Sequence, residues 1–253
     1  MSLRNQVALV TGSSRGLGLA IAKALHAEGV YVVINYVDPT SEDTAQANAT
    51  ALNTIAIRAD VTDLDQVQSL FDRVESHFQK PISIVVNNAL GAFKFNGPGR
   101  KTLDQISWSD FDLQLRTTLQ GALNTTKSAL PGFRKLGGGR IINIGTNLVQ
   151  NPVVPYQDYT AAKGALLAFT HTTAAELGPE NVTCNMVAGG LLRSTDASAA
   201  TPQAVFDQIA AITPLRRVTT PEELAGAVVF FAGPLAKAVT GQQIVVDGGL
   251  VMT

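Results

Sequence analysis

Apolar positions follow two rhythms along the chain: short unbroken runs, and longer stretches where they recur every three or four residues. The runs at residues 7–10, 31–35, 55–59, 82–86, 140–144, 182–187 and 243–247 predict strands. The stretches between them predict helices. The first helix carries Leu17, Ile21, Ala24 and Leu25 on one face and is ended by Gly29; residues 41–52 are alanine-rich; residues 63–78 carry Leu64, Val67, Leu70, Phe71 and Val74. A long helix is expected from Trp108 to Leu136, interrupted or kinked near Pro131, and another from Asp158 through Phe169 to Leu177. Further helices start at Pro202 and at Pro221, where proline fills the first turn and Glu222 and Glu223 sit by the positive end of the helix dipole. Strand and helix alternate without repeat or linker, so a single α/β domain over residues 1–253 is expected, with a seven-stranded parallel sheet covered by helices on both faces. In such sheets ligands bind at the carboxyl ends of the strands. Gly12, Asp60, Asn88, Thr146 and Gly190 all fall at predicted strand ends and are expected to share one crevice.

The first unit is the most specific. Between the strand ending at Val10 and the helix beginning near Leu17 stands Thr11-Gly12-Ser13-Ser14-Arg15-Gly16-Leu17-Gly18. Strand, glycine turn, helix and strand in about 30 residues form the doubly wound, Rossmann-type unit that holds dinucleotide phosphates on amide groups at a helix N-terminus.

Composition narrows the class. The chain has 253 residues, 45% of them hydrophobic, and a formal charge of −1, which argues against a nucleic-acid partner and against a disordered tail. Cys184 is the single cysteine, and the three histidines (His26, His77, His171) are scattered, so neither an intrachain disulfide nor a metal site is expected. The first residues lack the apolar centre of a signal peptide and no run of about 18 apolar residues follows, so no membrane partner is expected and a cytoplasmic location is.

The candidate chemistry lies between Thr146 and Lys163. In Tyr159-x-x-x-Lys163 the two side chains are four residues apart on a predicted helix and share a face. An ammonium beside a phenol favours phenolate and lowers a pKa that starts near ~10, so the tyrosine is expected to exchange a proton near neutral pH.

With these residues in view, the chain resembles the short-chain dehydrogenase/reductase family from about Gln6 to Gly249. The motifs come in order: the glycine turn, Asp60-Val61, Asn87-Asn88-Ala89, Tyr159-x-x-x-Lys163, Asn185, Pro214-Leu-x-Arg, Pro221-Glu-Glu-Leu, Thr240-Gly-Gln and Val246-Asp-Gly-Gly249. Within the family it is most similar to the 3-oxoacyl-[acyl-carrier-protein] reductase branch, through residues 139–145 and the Thr240-Gly-Gln ending. The resemblance implies that Tyr159 is the general acid in ketone reduction, that Lys163 lowers its pKa and holds the nicotinamide ribose, and that Thr146, where the family has serine, holds the substrate oxygen. It implies cofactor contacts from Gly12, Ser13, Ser14, Arg15, Gly16, Leu17, Gly18, Asn35, Asp60, Val61, Asn88, Ala89, Gly190, Leu192 and Ser194. Three further departures from the family pattern fall near the reacting centre: Thr118 for asparagine, Leu90 for glycine and Ser194 for threonine.

NADP(H) is the expected cofactor, with NAD(H) left open. The second strand ends in uncharged Asn35-Tyr36, lacking the acid that would repel a 2′-phosphate, and Arg15 can grip phosphate; Asp38 is read as a solvated acid. The residues at about 190–212 are expected to cover the substrate as a lid, and the charges Lys94, Arg100 and Lys101 are read as a solvated loop. The expected reaction is hydride transfer to a carbonyl, with a 3-oxoacyl thioester carried on acyl carrier protein or CoA as substrate. A sugar or other secondary alcohol is one alternative, and an NADP(H)-binding sensor without turnover is another. The family resemblance also implies a homotetramer.

Overall fold

The computed structural model describes residues 2–193 and 195–252, with only the main chain of Pro98 and Asp196. Its strands are β1 (Val7–Val10), β2 (Tyr31–Tyr36), β3 (Ala56–Arg58), β4 (Ile84–Asn87), β5 (Gly139–Thr146), β6 (Val182–Gly189) and β7 (Gln243–Val246). They form one seven-stranded sheet in the order β3-β2-β1-β4-β5-β6-β7, every neighbouring pair parallel. The chain reverses its winding direction between β1 and β4, and there the carboxyl ends of the strands open a crevice.

The helices are α1 (Gly16–Ala27), α2 (Glu42–Ala51), α3 (Leu64–Phe78), α4 (Trp108–Leu115), α5 (Gly121–Leu136), α6 (Gln157–Leu177), α7 (Gln203–Ile212) and α8 (Pro221–Ala232). Alternation along β1 sends Ala8 and Val10 into one core and Val7 and Leu9 into the other. The first core meets α1, α2 and α8 through Ile21, Leu25, Ala45, Val228 and Phe231; the second meets α3, α5 and α6 through Leu70, Val74, Phe133 and Leu177. Strands buried on both faces explain why they read as unbroken apolar runs. The capping expected at Pro221 is present: Thr220 accepts from the Glu223 amide, and the Glu223 carboxylate accepts from the Thr220 amide.

One helix differs from expectation. The irregularity in residues 108–136 is a π turn at Arg116–Gln120, and α5 continues through Pro131. The cause lies in packing at two ends. Gly121 rests so closely on Val61 that a Cβ there would come within 2.8 Å of it, and Asn124 donates to the Val61 carbonyl at 2.9 Å. Meanwhile α4 packs on α6. The wider turn lets both contacts form in one continuous chain segment.

Candidate active site

The glycine turn is held from beneath. Gly12 has φ +61°, a left-handed conformation that favours glycine, and its amide donates to Asn35 Oδ1 at 3.1 Å. Gly18 is required by close approach: a Cβ there would lie 2.3 Å from the Gly12 carbonyl oxygen and 2.7 Å from Asn88 Nδ2. Asn88 Nδ2 donates to the carbonyls of Thr11 and Gly12, and Thr11 Oγ1 accepts from the amides of Asn88 and Ala89. The loop after β4 therefore braces the loop after β1.

Above this support lies a cavity of about 880 Å³, lined at one end by Gly12, Ser14, Arg15, Gly16, Leu17 and Gly18. The first turn of α1 has no side-chain cap and no acidic residue, so its amides and dipole are available to an anion. Arg15 Nη1 donates to Ser41 Oγ at 3.2 Å, which draws the guanidinium toward the end of β2. Asp38 is solvent-exposed and caps a short turn, accepting from the Thr40 amide, whose hydrogen bond keeps its carboxyl below the usual range. The glycine turn and the amide groups at the start of α1 fit the pyrophosphate of a dinucleotide, with Arg15 and Asp38 both lining the crevice near the end of β2.

The positions of the expected cofactor residues divide in two. Gly12, Ser14, Arg15, Gly16, Leu17, Gly18, Asn88, Tyr159, Lys163, Gly190 and Leu192 line the crevice. Five others do not. Asn35 is buried below the glycine turn, because β2 extends one residue further than expected and its end falls at Tyr36–Asp38. Its amide group donates to the Ile57 and Ala59 carbonyls, so its role is to support Gly12. Ser13 is fully buried, its hydroxyl donating to the Val10 carbonyl at 2.7 Å and accepting from the Asn35 amide. Asp60 turns its carboxylate onto the amide and hydroxyl of its near neighbour Thr62, both at 2.9 Å. Val61 and Ala89 border a small separate cavity with Thr118 and Lys163. Ser194 lies outside the described residues.

At the far end of the crevice Tyr159 and Lys163 project from the first turns of α6, and Thr146 ends β5. The Thr146 hydroxyl accepts from the Leu148 amide at 3.3 Å and lies close enough to the Tyr159 phenol to act on its pKa. The expected influence of Lys163 on that phenol requires correction. Lys163 Nζ donates to the Ile144 carbonyl at 2.7 Å and stands 5.8 Å from the centre of the tyrosine ring. Burial dominates instead, pushing the Tyr159 phenol up to about 12 while Thr146 opposes it. Burial also lowers the Lys163 ammonium to about 8. Thr118 is buried in the π turn with its hydroxyl unpartnered.

Sequence reasoning missed the groups around Tyr159. The loop after β4, read as solvated charge, places the Phe93 ring flat against the Tyr159 ring, with centres 4.5 Å apart and planes 16° apart. Phe95 meets Tyr159 edge-on at 5.7 Å. This loop is tied to the loop after β6 by the Phe95 amide, which donates to the Ala197 carbonyl at 3.0 Å. An i, i+2 pair of phenylalanines before a polar loop was the available signal. Gln114 was also missed: it lines the crevice wall from α4, 2% exposed, with Oε1 unpartnered.

Another contact closes the site from the opposite end of the chain. Buried Asp247 accepts from Asn147 Nδ2 at 2.9 Å and from the amides of Gly249 and Val251. Gly190 fits against both Asn147 and Asp247, where a Cβ would come within 3.0 Å of each. The residue next to Thr146 is therefore fixed by the segment after β7.

A parallel sheet with a glycine turn at its switch point, and a tyrosine, a lysine and a hydroxyl at the other end of one crevice, defines a nicotinamide-dependent oxidoreductase. The family model described as enoyl-(acyl carrier protein) reductase matches residues 12–251, and the chain belongs to this family, the short-chain dehydrogenases/reductases. A 3-oxoacyl-[acyl-carrier-protein] reductase of Synechocystis sp. is 38% identical over 258 residues, covering 99% of each chain. The NADPH-dependent aldehyde reductase 2, chloroplastic, of Arabidopsis thaliana is 32% identical over 267 residues, covering 100% of this chain and 96% of that one. Among solved structures, a blue fluorescent protein from a metagenomic library in complex with NADPH superposes with a TM-score of 0.87 at 30% identity, covering 100% of both chains. A gluconate 5-dehydrogenase from Burkholderia cenocepacia J2315 in complex with NADP and tartrate gives 0.88 at 29% identity, covering 98% of this chain and 97% of that one. The protein is an NAD(P)-dependent oxidoreductase of this family. Among the described residues no helix is long and apolar enough to cross a membrane.

Proposed function

We propose that the protein is an NADPH-dependent carbonyl reductase acting on 3-oxoacyl thioesters. The observation that carries the chemistry is the close Thr146–Tyr159 pair at the end of a crevice whose other end is the glycine turn. Gly12, Gly16, Gly18 and Arg15 would hold NADPH, which would supply the carbonyl carbon with a hydride and its two electrons and be left as NADP⁺. Tyr159 gives its proton to the carbonyl oxygen, completing the alcohol, and Thr146 orients that oxygen. Burial keeps the Tyr159 phenol protonated but makes it a weaker acid, so its donation depends on stabilising the phenolate left behind. Lys163, near 8, is mostly cationic at neutral pH and favours that phenolate.

The preference for NADPH is supported by Arg15 on the crevice wall and opposed by Asp38, an acid that lines the same crevice just beyond β2. The thioester is supported by the kinship with 3-oxoacyl-[acyl-carrier-protein] reductases and by Lys94, Arg100 and Lys101, which line the same crevice and suit an anionic carrier arm. The unpartnered Oε1 of Gln114 offers an acceptor to an amide N–H of such an arm. We further propose a cytoplasmic homotetramer, with Trp108 (73% exposed) and Leu123 (43% exposed) on α4 and α5 meeting a second subunit, which light scattering would test.

A sensor reading is favoured by one observation, the Phe93 ring lying across Tyr159. The two readings separate in one experiment. NADPH consumption with an acetoacetyl thioester, lost in Tyr159→Phe while NADPH binding remains, supports the reductase; NADPH binding with no turnover on thioesters, aldehydes, ketones or keto-sugars supports the sensor.

A further inference from the structure

Four aromatic rings meet at the reacting end of the crevice. Phe93 lies on Tyr159; Phe95 stands edge-on to Phe93 at 5.0 Å and to Tyr156 at 5.7 Å; Tyr156 stands edge-on to Phe93 at 5.1 Å. Leu148, buried, and Leu90, partly buried, belong to the same apolar cluster. The one polar atom brought by these residues' side chains other than Tyr159 is the Tyr156 hydroxyl, and it is engaged, accepting from the Gly97 amide at 2.7 Å. A substituent lodged here therefore finds ring faces and methyl groups, with the hydrogen of the Tyr156 hydroxyl as the one polar group these side chains offer besides Tyr159.

The ring anchors are unequal. Phe95 is fastened through its amide to Ala197, and its carbonyl accepts from the Thr201 hydroxyl at 3.4 Å. Among the described residues the main chain of Phe93 makes no hydrogen bond, and its ring is kept in place by apolar contacts with the other rings and the Leu148 cluster. Phe93 covers the face of the Tyr159 ring, so the substituent of a carbonyl held at the phenol lies beside the Phe93 ring or in its place. Contact there is ring against ring, and a flat, unsaturated group makes it where a flexible saturated chain makes only part.

We propose that Phe93 and Phe95 are specificity-determining residues, and that the preferred substrate bears an aryl or conjugated group on the reacting carbonyl. This rests on the reductase reading above and deepens it: among 3-oxoacyl thioesters, the arylated ones are the best substrates.

The test uses N-acetylcysteamine thioesters with NADPH: benzoylacetyl, 3-oxooctanoyl and acetoacetyl. The expected kcat/KM for the benzoylacetyl thioester exceeds that for the 3-oxooctanoyl thioester by tenfold or more. In Phe93→Leu and Phe95→Leu that ratio collapses toward one, each thioester being referred to acetoacetyl turnover by the same variant. A binding measurement stands beside the kinetics: Tyr159→Phe loaded with NADPH, titrated calorimetrically, binds the benzoylacetyl thioester more tightly than the 3-oxooctanoyl one, and adding Phe93→Leu removes the difference. Acetoacetyl turnover with no aryl preference, or a preference unchanged in both leucine variants, overturns the inference and leaves the reductase intact. No turnover of any carbonyl, with intact NADPH binding and no aryl preference in the titration, overturns both.

Discussion

At the nucleotide end of the crevice Gly12 is gripped by hydrogen bonds with the side chains of Asn35 and Asn88; at the substrate end Phe93 is gripped by apolar contacts, chiefly with neighbouring rings. The first arrangement is directional and holds one geometry, while the second is apolar and tolerates rearrangement. A fold can thus keep one cofactor site rigid and vary what reacts at the other end. This agrees with the kinship to proteins named for 3-oxoacyl, aldehyde and gluconate chemistry at 29 to 38% identity.

The contrast is broken most severely by removing the proton donor. Tyr159→Phe keeps the ring and its stacking, so NADPH binding is expected within about twofold of the parent, whereas turnover falls by about 10²–10⁴; fluorescence titration and steady-state kinetics read the two separately. At the rigid end Gly18→Ala inserts a Cβ against backbone atoms that cannot move. Overpacking of about 1–3 kcal/mol is expected, visible as a lower Tm and an NADPH KM raised by roughly tenfold at its upper half.

Much of this was legible beforehand, and the exceptions share a cause. The seven strands and the glycine turn were readable because each depends on neighbours in sequence: apolar runs for buried strands, glycines for Gly12 and Gly18. The π turn at Arg116–Gln120 was not, since one added residue leaves the apolar spacing of residues 108–136 nearly unchanged, and Pro131 was the more visible irregularity. Asn35 reads as a strand end facing a ligand, and only the sheet shows it beneath the turn it supports. Phe93 reads as part of a charged loop because its partners, Tyr156 and Tyr159, are more than sixty residues away. Spacing placed Lys163 near Tyr159, but could not show that its ammonium donates to the Ile144 carbonyl.

Two smaller effects sharpen the comparison. Arg15→Leu should cost NADPH a charge-assisted hydrogen bond of about 1.5–3 kcal/mol, lowering the NADPH-to-NADH ratio of kcat/KM by roughly ten- to a hundredfold with little change in kcat. The least effect is in pH. Lys163 has its pKa lowered to about 8 by burial, so its charge is present below that value and lost above it. The reduction rate is expected to decline gradually above about pH 8, and Lys163→Arg should move that decline out of the accessible range. The same shift acts on folding with the opposite sense: the charged lysine costs stability below pH 8, and the cost is relieved as pH rises toward its ordinary value of 10.5.

The Asn147–Asp247 contact joins residues 100 apart. A ribosome adding roughly 5–20 residues per second needs about 5–20 seconds to cover that distance. During this interval the β1–α1–β2 unit has already emerged. The support beneath Thr146 arrives only once Asp247 has been made, and α1 meets its packing partner α8 only shortly before. Synthesis therefore makes the glycine turn first and completes both ends of the crevice last.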